Sequence, residues 1–149
     1  MAITLSGPCP LLQVFDMPLA LGFYRDVLGF RVLQSSGEGD QVGWVWLGLG
    51  DAQLMLNTAY DEGERPSGPD PARVAAHQDT ILFFGCRDLD GVHAHLAAHT
   101  IHADPPRTTH YGMRQVYATD PDGYLVCFQW PAEARDPPPR NPPAGPKAR

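Results

Sequence analysis

The sequence has no apolar run approaching the roughly 18 residues that a membrane helix needs. Its opening stretch, MAITLSGPCPLLQVFD, lacks the basic start, apolar middle and small-residue cleavage site of a secretory signal. Cysteine is scarce: three residues, Cys9, Cys86 and Cys127, too few and too scattered for a disulfide framework. A reducing, cytoplasmic setting is the expectation. Basic runs are missing as well. Eleven Lys and Arg against seventeen Asp and Glu give a formal charge of -6, which argues against binding polyanions by charge. Neither nucleic acid nor a membrane is expected as a partner.

What is there is ordinary for a soluble globular protein: 43% apolar residues and 19% charged ones in 149 residues. That length supports one domain with a real core. The last nineteen residues, PAEARDPPPRNPPAGPKAR, hold seven prolines and nothing apolar enough to offset the entropy of ordering them. Residues 132–149 therefore read as a disordered proline-rich tail, and residues 1–131 as a single domain. PPPRNPP offers little beyond its prolines to a groove that binds such segments. A second soft stretch, AYDEGERPSGPDPARVAA, interrupts the pattern with Pro, Gly and charge. It reads as a linker, residues 59–78, between two halves at about 8–58 and 79–131.

The halves repeat. LQVFDMPLALGFYRDVLGF predicts a short strand, Asp16 as helix N-cap, Pro18 in the first turn, a stripe of Ala20, Phe23, Tyr24, Val27 and Leu28, and Gly29 as the stop. ILFFGCRDLDGVHAHLAAH predicts the same order, with Asp88 as cap and Leu89, Val92 and Leu96 as stripe. The caps are 72 residues apart, and that offset carries LML at 54–56 onto VCF at 126–128. Each half is expected to be β-α followed by three strands, with an ill-defined second strand near Ile101 in the later one. The fold class is α+β.

Turn chemistry sets the facing of side chains. In DPDG, Pro121 suits the second position of a type I turn and Gly123 the left-handed one, placing Asp120 opposite Tyr124. Tyr117 then shares a side with Cys127, and Gln115 with Gln129. A two-residue turn at Gly50-Asp51 sets Trp46 beside Met55 and Trp44 beside Asn57. Leu54, Leu56, Val126 and Phe128 are expected under the helices, and the mixed set on the opposite face.

The stretches VFDMPLALGFYRDVLGF and YGMRQVYATDPDGYLVCFQ, with CRDLDGVHAHL as a weaker echo, resemble the vicinal oxygen chelate superfamily. That superfamily holds glyoxalase I, fosfomycin and bleomycin resistance proteins and extradiol dioxygenases. Together with the repeat, the resemblance spans about Cys9 to Trp130. It implies paired βαβββ modules forming a curved mixed sheet around a cavity, usually in a homodimer. Metal-using members are similar in placing a His seven residues before the first helix cap and a carboxylate in the fourth strand, then the same pair again. Those places fall here on Cys9, Met55, Ile81 and Cys127. None is His or Glu, whereas Lewis-acid work wants three or four N and O ligands. No metal and no other cofactor is expected. Cys9, Met55 and Cys127 form a soft set that suits Cu(I) at most, and thiols and thioethers also serve as plain cavity wall. A nucleophilic role for Cys127 would need a neighbouring base, and its expected neighbours are Tyr117 and Leu125.

The histidines stand apart from these places. His95 and His99 have metal-pair spacing but sit off the Leu89, Val92, Leu96 stripe, toward solvent. His77 is expected to share a face with Ile81 at the start of the fifth strand, where it would rim the cavity with His110 and Arg114 from HYGMR. The expected wall is Cys9, Leu11, Trp44, Trp46, Met55, Phe83, Tyr117 and Cys127, with the neutral amides Gln13, Gln53, Asn57, Gln115 and Gln129. Aromatic area with a few convergent amides suits a flat, neutral organic molecule. The expected function is glyoxalase/bleomycin resistance-like binding, a small aromatic molecule being sequestered without metal. The alternative is a metal-dependent lyase, isomerase or dioxygenase with displaced ligands drawn from His77, Asp79 and His110.

Overall fold

The computed structural model describes residues 1–60 and 63–133. The expected tail lies outside the described residues from position 134 onward. The first half comprises β1 (Leu11–Val14), α1 (Met17–Leu21) continuing into a π-helical turn (Gly22–Val27), β2 (Arg31–Ser35), β3 (Trp44–Leu49) and β4 (Ala52–Thr58). A connecting helix α2 (Pro71–Ala76) and a 3-10 turn (His77–Asp79) follow. The second half comprises β5 (Ile81–Gly85), α3 (Leu89–Ala98), β6 (Arg107–Thr108), β7 (Met113–Thr119) and β8 (Leu125–Pro131). The architecture is α+β, two βαβββ modules each with its own four-stranded mixed sheet. Their orders are β1-β4-β3-β2 and β5-β8-β7-β6, the first and last strand of each module pairing parallel.

Both helix starts follow from their caps. The Asp16 carboxylate accepts from the Leu19 N–H at 3.0 Å and the Asp88 carboxylate from the Gly91 N–H at 2.9 Å, satisfying donors that a first turn leaves open. The hairpin turns set the register as expected. Gly50 adopts φ +57°, and Trp46 pairs with Met55 and Trp44 with Asn57. Across the later hairpin Gly123 adopts φ +89°, Asp120 N–H donates to Tyr124 O at 2.9 Å, and Tyr117 pairs with Cys127 and Gln115 with Gln129.

One face of each sheet is therefore apolar. Leu54, Leu56 and Val126 are fully buried and join Ala20, Leu21, Tyr24, Leu89 and Leu96 from the helices in a core shared by both modules. Burying each such Leu contributes about 1.5–3 kcal/mol.

One expectation needs correction. The second strand of the later module is not near Ile101, which packs against the core; it is β6, delayed because Pro105 and Pro106 cannot donate to a ladder. The connecting segment carries a short helix of its own. Asp70 caps α2 by accepting from Ala72 N–H at 3.0 Å, and Pro71 occupies the first helical turn, so punctuation that reads as loop is here a helix start. No described helix is long and apolar enough to cross a membrane.

Candidate ligand-binding face

The residues that alternate with the core set lie together on the helix-free face of the two sheets. Leu11 and Gln13 of β1 stand beside Met55 and Asn57 of β4, which pair in turn with Trp46 and Trp44 of β3. In the second sheet, Phe83 stands beside Cys127, and Tyr117 and Gln115 beside Cys127 and Gln129. Cys9 is half-buried just ahead of β1, and Gln53 is exposed on β4. The face is open within one chain: Leu11 is 46% exposed, Phe83 50% and Tyr117 39%.

Its polar groups form one cluster per module. Asn57 Nδ2 donates to Gln13 Oε1 at 3.4 Å. Gln115 Nε2 donates to Gln129 Oε1 at 2.9 Å and to Tyr111 Oη at 3.2 Å. Asn57 and Gln129 are the same position of the 72-residue repeat, so each module carries an amide pair at the same end of its sheet. Trp46 Nε1–H is buried without an acceptor, the sole such side-chain group among the described residues. A buried donor left in that state costs about 1–3 kcal/mol.

Cys127 lies behind this wall rather than on it. Its neighbours Phe83 and Tyr117 approach edge to face with ring centroids 6.5 Å apart, closing over the strand between them, and Cys127 is fully buried. Burial pushes the thiol up, and burial followed by the contact with Cys127 pushes the Tyr117 phenol up to about 12. Both groups are protonated at neutral pH, so the pair holds neither a thiolate nor a base.

The residues at the superfamily's metal positions do not fit a hard divalent ion. The register sets Leu11 beside Met55 and Phe83 beside Cys127, while Cys9 and Ile81 lie two residues earlier on each side. Either quartet offers at most a thioether and thiols. The displaced candidates do not converge. His77 does not share the Ile81 face; it sits in the 3-10 turn, donates from Nδ1 to Asp122 O at 2.6 Å and stacks on Tyr124 with centroids 4.0 Å apart. Asp79 is exposed, and His110 is exposed against Tyr111. His95 and His99 face solvent as expected, yet His95 Nε2 donates to Val27 O at 2.7 Å, tying α3 to the end of the first helix. Among the described residues no three His, Cys, Asp or Glu side chains gather as a metal site. Arg114 pairs with Asp90 at 2.9 Å instead of reaching a cavity lip.

Sequence reasoning missed what DPDG does beyond turning. Asp120 Oδ1 accepts from the N–H groups of Asp122 and Tyr124, both at 2.9 Å, and Oδ2 from Tyr24 Oη at 2.7 Å. Asp122 Oδ1 accepts from Phe15 N–H at 2.7 Å, and Tyr124 Oη accepts from Gln13 N–H at 3.1 Å. A turn of the second module thus locks onto β1 and the first helix of the first. Both carboxylates are 5% exposed, and burial raises both, Asp122 to about 6. The available signal was a doubly acidic turn in a chain whose first helix buries a tyrosine.

Comparison with known proteins places this geometry. Residues 8–128 match the Glyoxalase/Bleomycin resistance protein/Dioxygenase superfamily. The chain belongs to that superfamily. Solved structures share its fold at low identity. TioX from Micromonospora sp. ML1 is 17% identical with TM-score 0.62, covering 83% of this chain and 98% of its own. A glyoxalase family protein from Enterococcus faecalis is 22% identical with TM-score 0.59, covering 85% and 97%. The bleomycin-binding protein from bleomycin-producing Streptomyces verticillus, solved with copper(II)-bleomycin, is 19% identical with TM-score 0.58, covering 85% and 97%. No curated protein matches the chain in sequence. At these identities the structural likeness speaks for the fold alone.

Proposed function

We propose that this superfamily member binds and sequesters a small, planar, neutral organic molecule on its helix-free face, in the cytoplasm, as a homodimer and without a metal. The observation that carries the reading is the chemistry of that face. Thioether, thiol and hydrocarbon stand at the superfamily's ligand positions, flanked by aromatic rings and by one amide cluster per module. Rings supply stacking area and amides supply orienting hydrogen bonds. The orphan indole N–H of Trp46 favours a ligand with an acceptor. The three cysteines are free, as a reducing compartment requires. Titration with a planar probe such as 1-naphthol is expected to quench tryptophan fluorescence saturably. Metal analysis of the purified protein is expected to find far less than one divalent ion per chain. One tightly held ion per chain, with turnover that chelation abolishes, overturns the reading in favour of lyase, isomerase or dioxygenase chemistry.

A further inference from the structure

Beside β7 lies a half-open groove of about 500 Å³, floored by Gln115, Tyr117 and Thr119 and walled by Asp104 and Arg107. Its cause is Pro105-Pro106. β6 pairs with β7 only at Arg107 with Gln115 and Thr108 with Arg114. Continuing that register would set Pro106 against Val116 and Pro105 against Tyr117, and proline has no N–H to give. The ladder stops there and leaves β7 an open edge.

Which backbone groups face that edge follows from alternation along the strand. Met113 O accepts from Thr109 N–H at 2.7 Å on the β6 side, whereas Asp120 N–H donates to Tyr124 O at 2.9 Å on the β8 side. Odd-numbered residues therefore direct their N–H and C=O toward the groove. Those of Tyr117 and Thr119 make no hydrogen bond with any described residue. Gln115 adds a side-chain acceptor. It is 7% exposed and gives its amide hydrogens to Gln129 and Tyr111, while its own Oε1 receives no donor from any described residue.

Free donors and acceptors alternating along an edge, with a side-chain acceptor at one end, are what an extended amide backbone completes as an added strand. We propose that this groove takes a short extended peptide, paired antiparallel to β7 in the place that Pro105-Pro106 denies to β6. This goes beyond the planar ligand of the helix-free face: the peptide takes the strand edge beside that face, and the two share Tyr117. Tyr117 and Thr119 are about 7 Å apart along the strand, the reach of a tripeptide. The Tyr117 ring, on the same residue as one free N–H and C=O, offers the apolar surface.

The test uses the full chain, N-acetyl-Val-Phe-Val-amide, and versions of it methylated singly at each backbone nitrogen, with 1-naphthol as a planar control. Methylation at nitrogens facing the edge is expected to weaken binding about tenfold, the effect of losing one hydrogen bond. Methylation at the intervening nitrogen is expected to change little. The Tyr117 and Thr119 amides should gain protection from hydrogen exchange when the unmethylated peptide binds. Naphthol binding with equal affinity for all peptides, or with none, overturns strand pairing and leaves the aromatic site standing. Failure of naphthol and peptides alike removes the ligand face and this proposal with it. Protection of Tyr117 and Thr119 in the free protein that disappears on dilution would show a second copy on the edge and would also overturn the proposal.

Discussion

At Gly123 two demands meet in one residue. Its φ of +89° disfavours any side chain, and a Cβ there would run into the carbonyl oxygen of Val74 on α2. The left-handed conformation alone costs an L residue about 1–2 kcal/mol, and moving a packed backbone adds about 1–3 kcal/mol. Gly123→Ala is expected to lower the melting temperature by several degrees while the purified protein still folds; an unchanged melting curve would contradict the docking of α2 on this turn. One residue earlier in the turn, Asp122 carries a pH signature. Its folded pKa of about 6 lies above the unfolded carboxylate value. Its contribution to stability is therefore fully present below about pH 4 and is lost as pH rises through about 6. Asp122→Asn keeps an oxygen for Phe15 N–H and is expected to flatten the stability profile between those values, read by denaturant unfolding at several pH values. On the helix-free face, Trp46→Ala is expected to weaken binding of a planar ligand by about 1–3 kcal/mol. Cys127→Ser serves as its control, with affinity near normal because the thiol lies behind Phe83 and Tyr117. Unfolding in Trp46→Ala with unchanged residual affinity would put the site elsewhere.

Among the elements, what could be read from the sequence was whatever local chemistry decides. Asp16, Asp88, Gly50 and Gly123 act through their own dihedrals and nearest hydrogen bonds, and from them the strand registers and the facing of Trp44, Trp46, Tyr117 and Cys127 follow by counting. What could not be read was decided by contacts more than a hundred residues apart in places. The Asp122 to Phe15 and Tyr124 to Gln13 bonds span 107 and 111 positions, and no periodicity marks such partners. His77 illustrates the cost: extending β5 backward by alternation put it on the Ile81 face, whereas α2 and the 3-10 turn carry it onto the ring of Tyr124. β6 departs from its expected place for the opposite reason, a local one. The apolar Ile101 suggests a strand by its local character, while Pro105 and Pro106 postpone it to Arg107. His77→Ala tests the element-scale consequence. Losing the stacked ring and the bond to Asp122 O is expected to loosen α2, seen as faster hydrogen exchange across 71–79, with little change in exchange across β3 and β4. Uniform acceleration throughout the chain would mean that α2 does not open separately from the modules.

For the whole molecule, the decisive feature is a sheet face left bare on the side away from the helices. Each module buries one face under its own helix, and the core so formed is continuous across both. The opposite face exposes Leu11, Ile81, Phe83 and Tyr117, and Val32, Leu33 and Leu49 stand exposed at β2 and the end of β3. Single apolar residues at a surface need no explanation, but several gathered on one sheet face favour a covering partner. A second copy is the expected cover, because a twofold contact lets the same face serve on both chains. Light scattering at micromolar concentration is expected to give twice the chain mass of 16.3 kDa. Phe83→Glu, which places charge on the most exposed ring of that face, is expected to shift the population to single chains without unfolding them, since Phe83 contributes little to the core. Ligand affinity measured on the same variant separates two roles of the face. Dissociation with affinity retained would mean that each chain binds alone, whereas dissociation with affinity lost would mean that the second copy completes the site. A wild-type mass of one chain at micromolar concentration would remove the dimer and leave the bare face to the ligand alone.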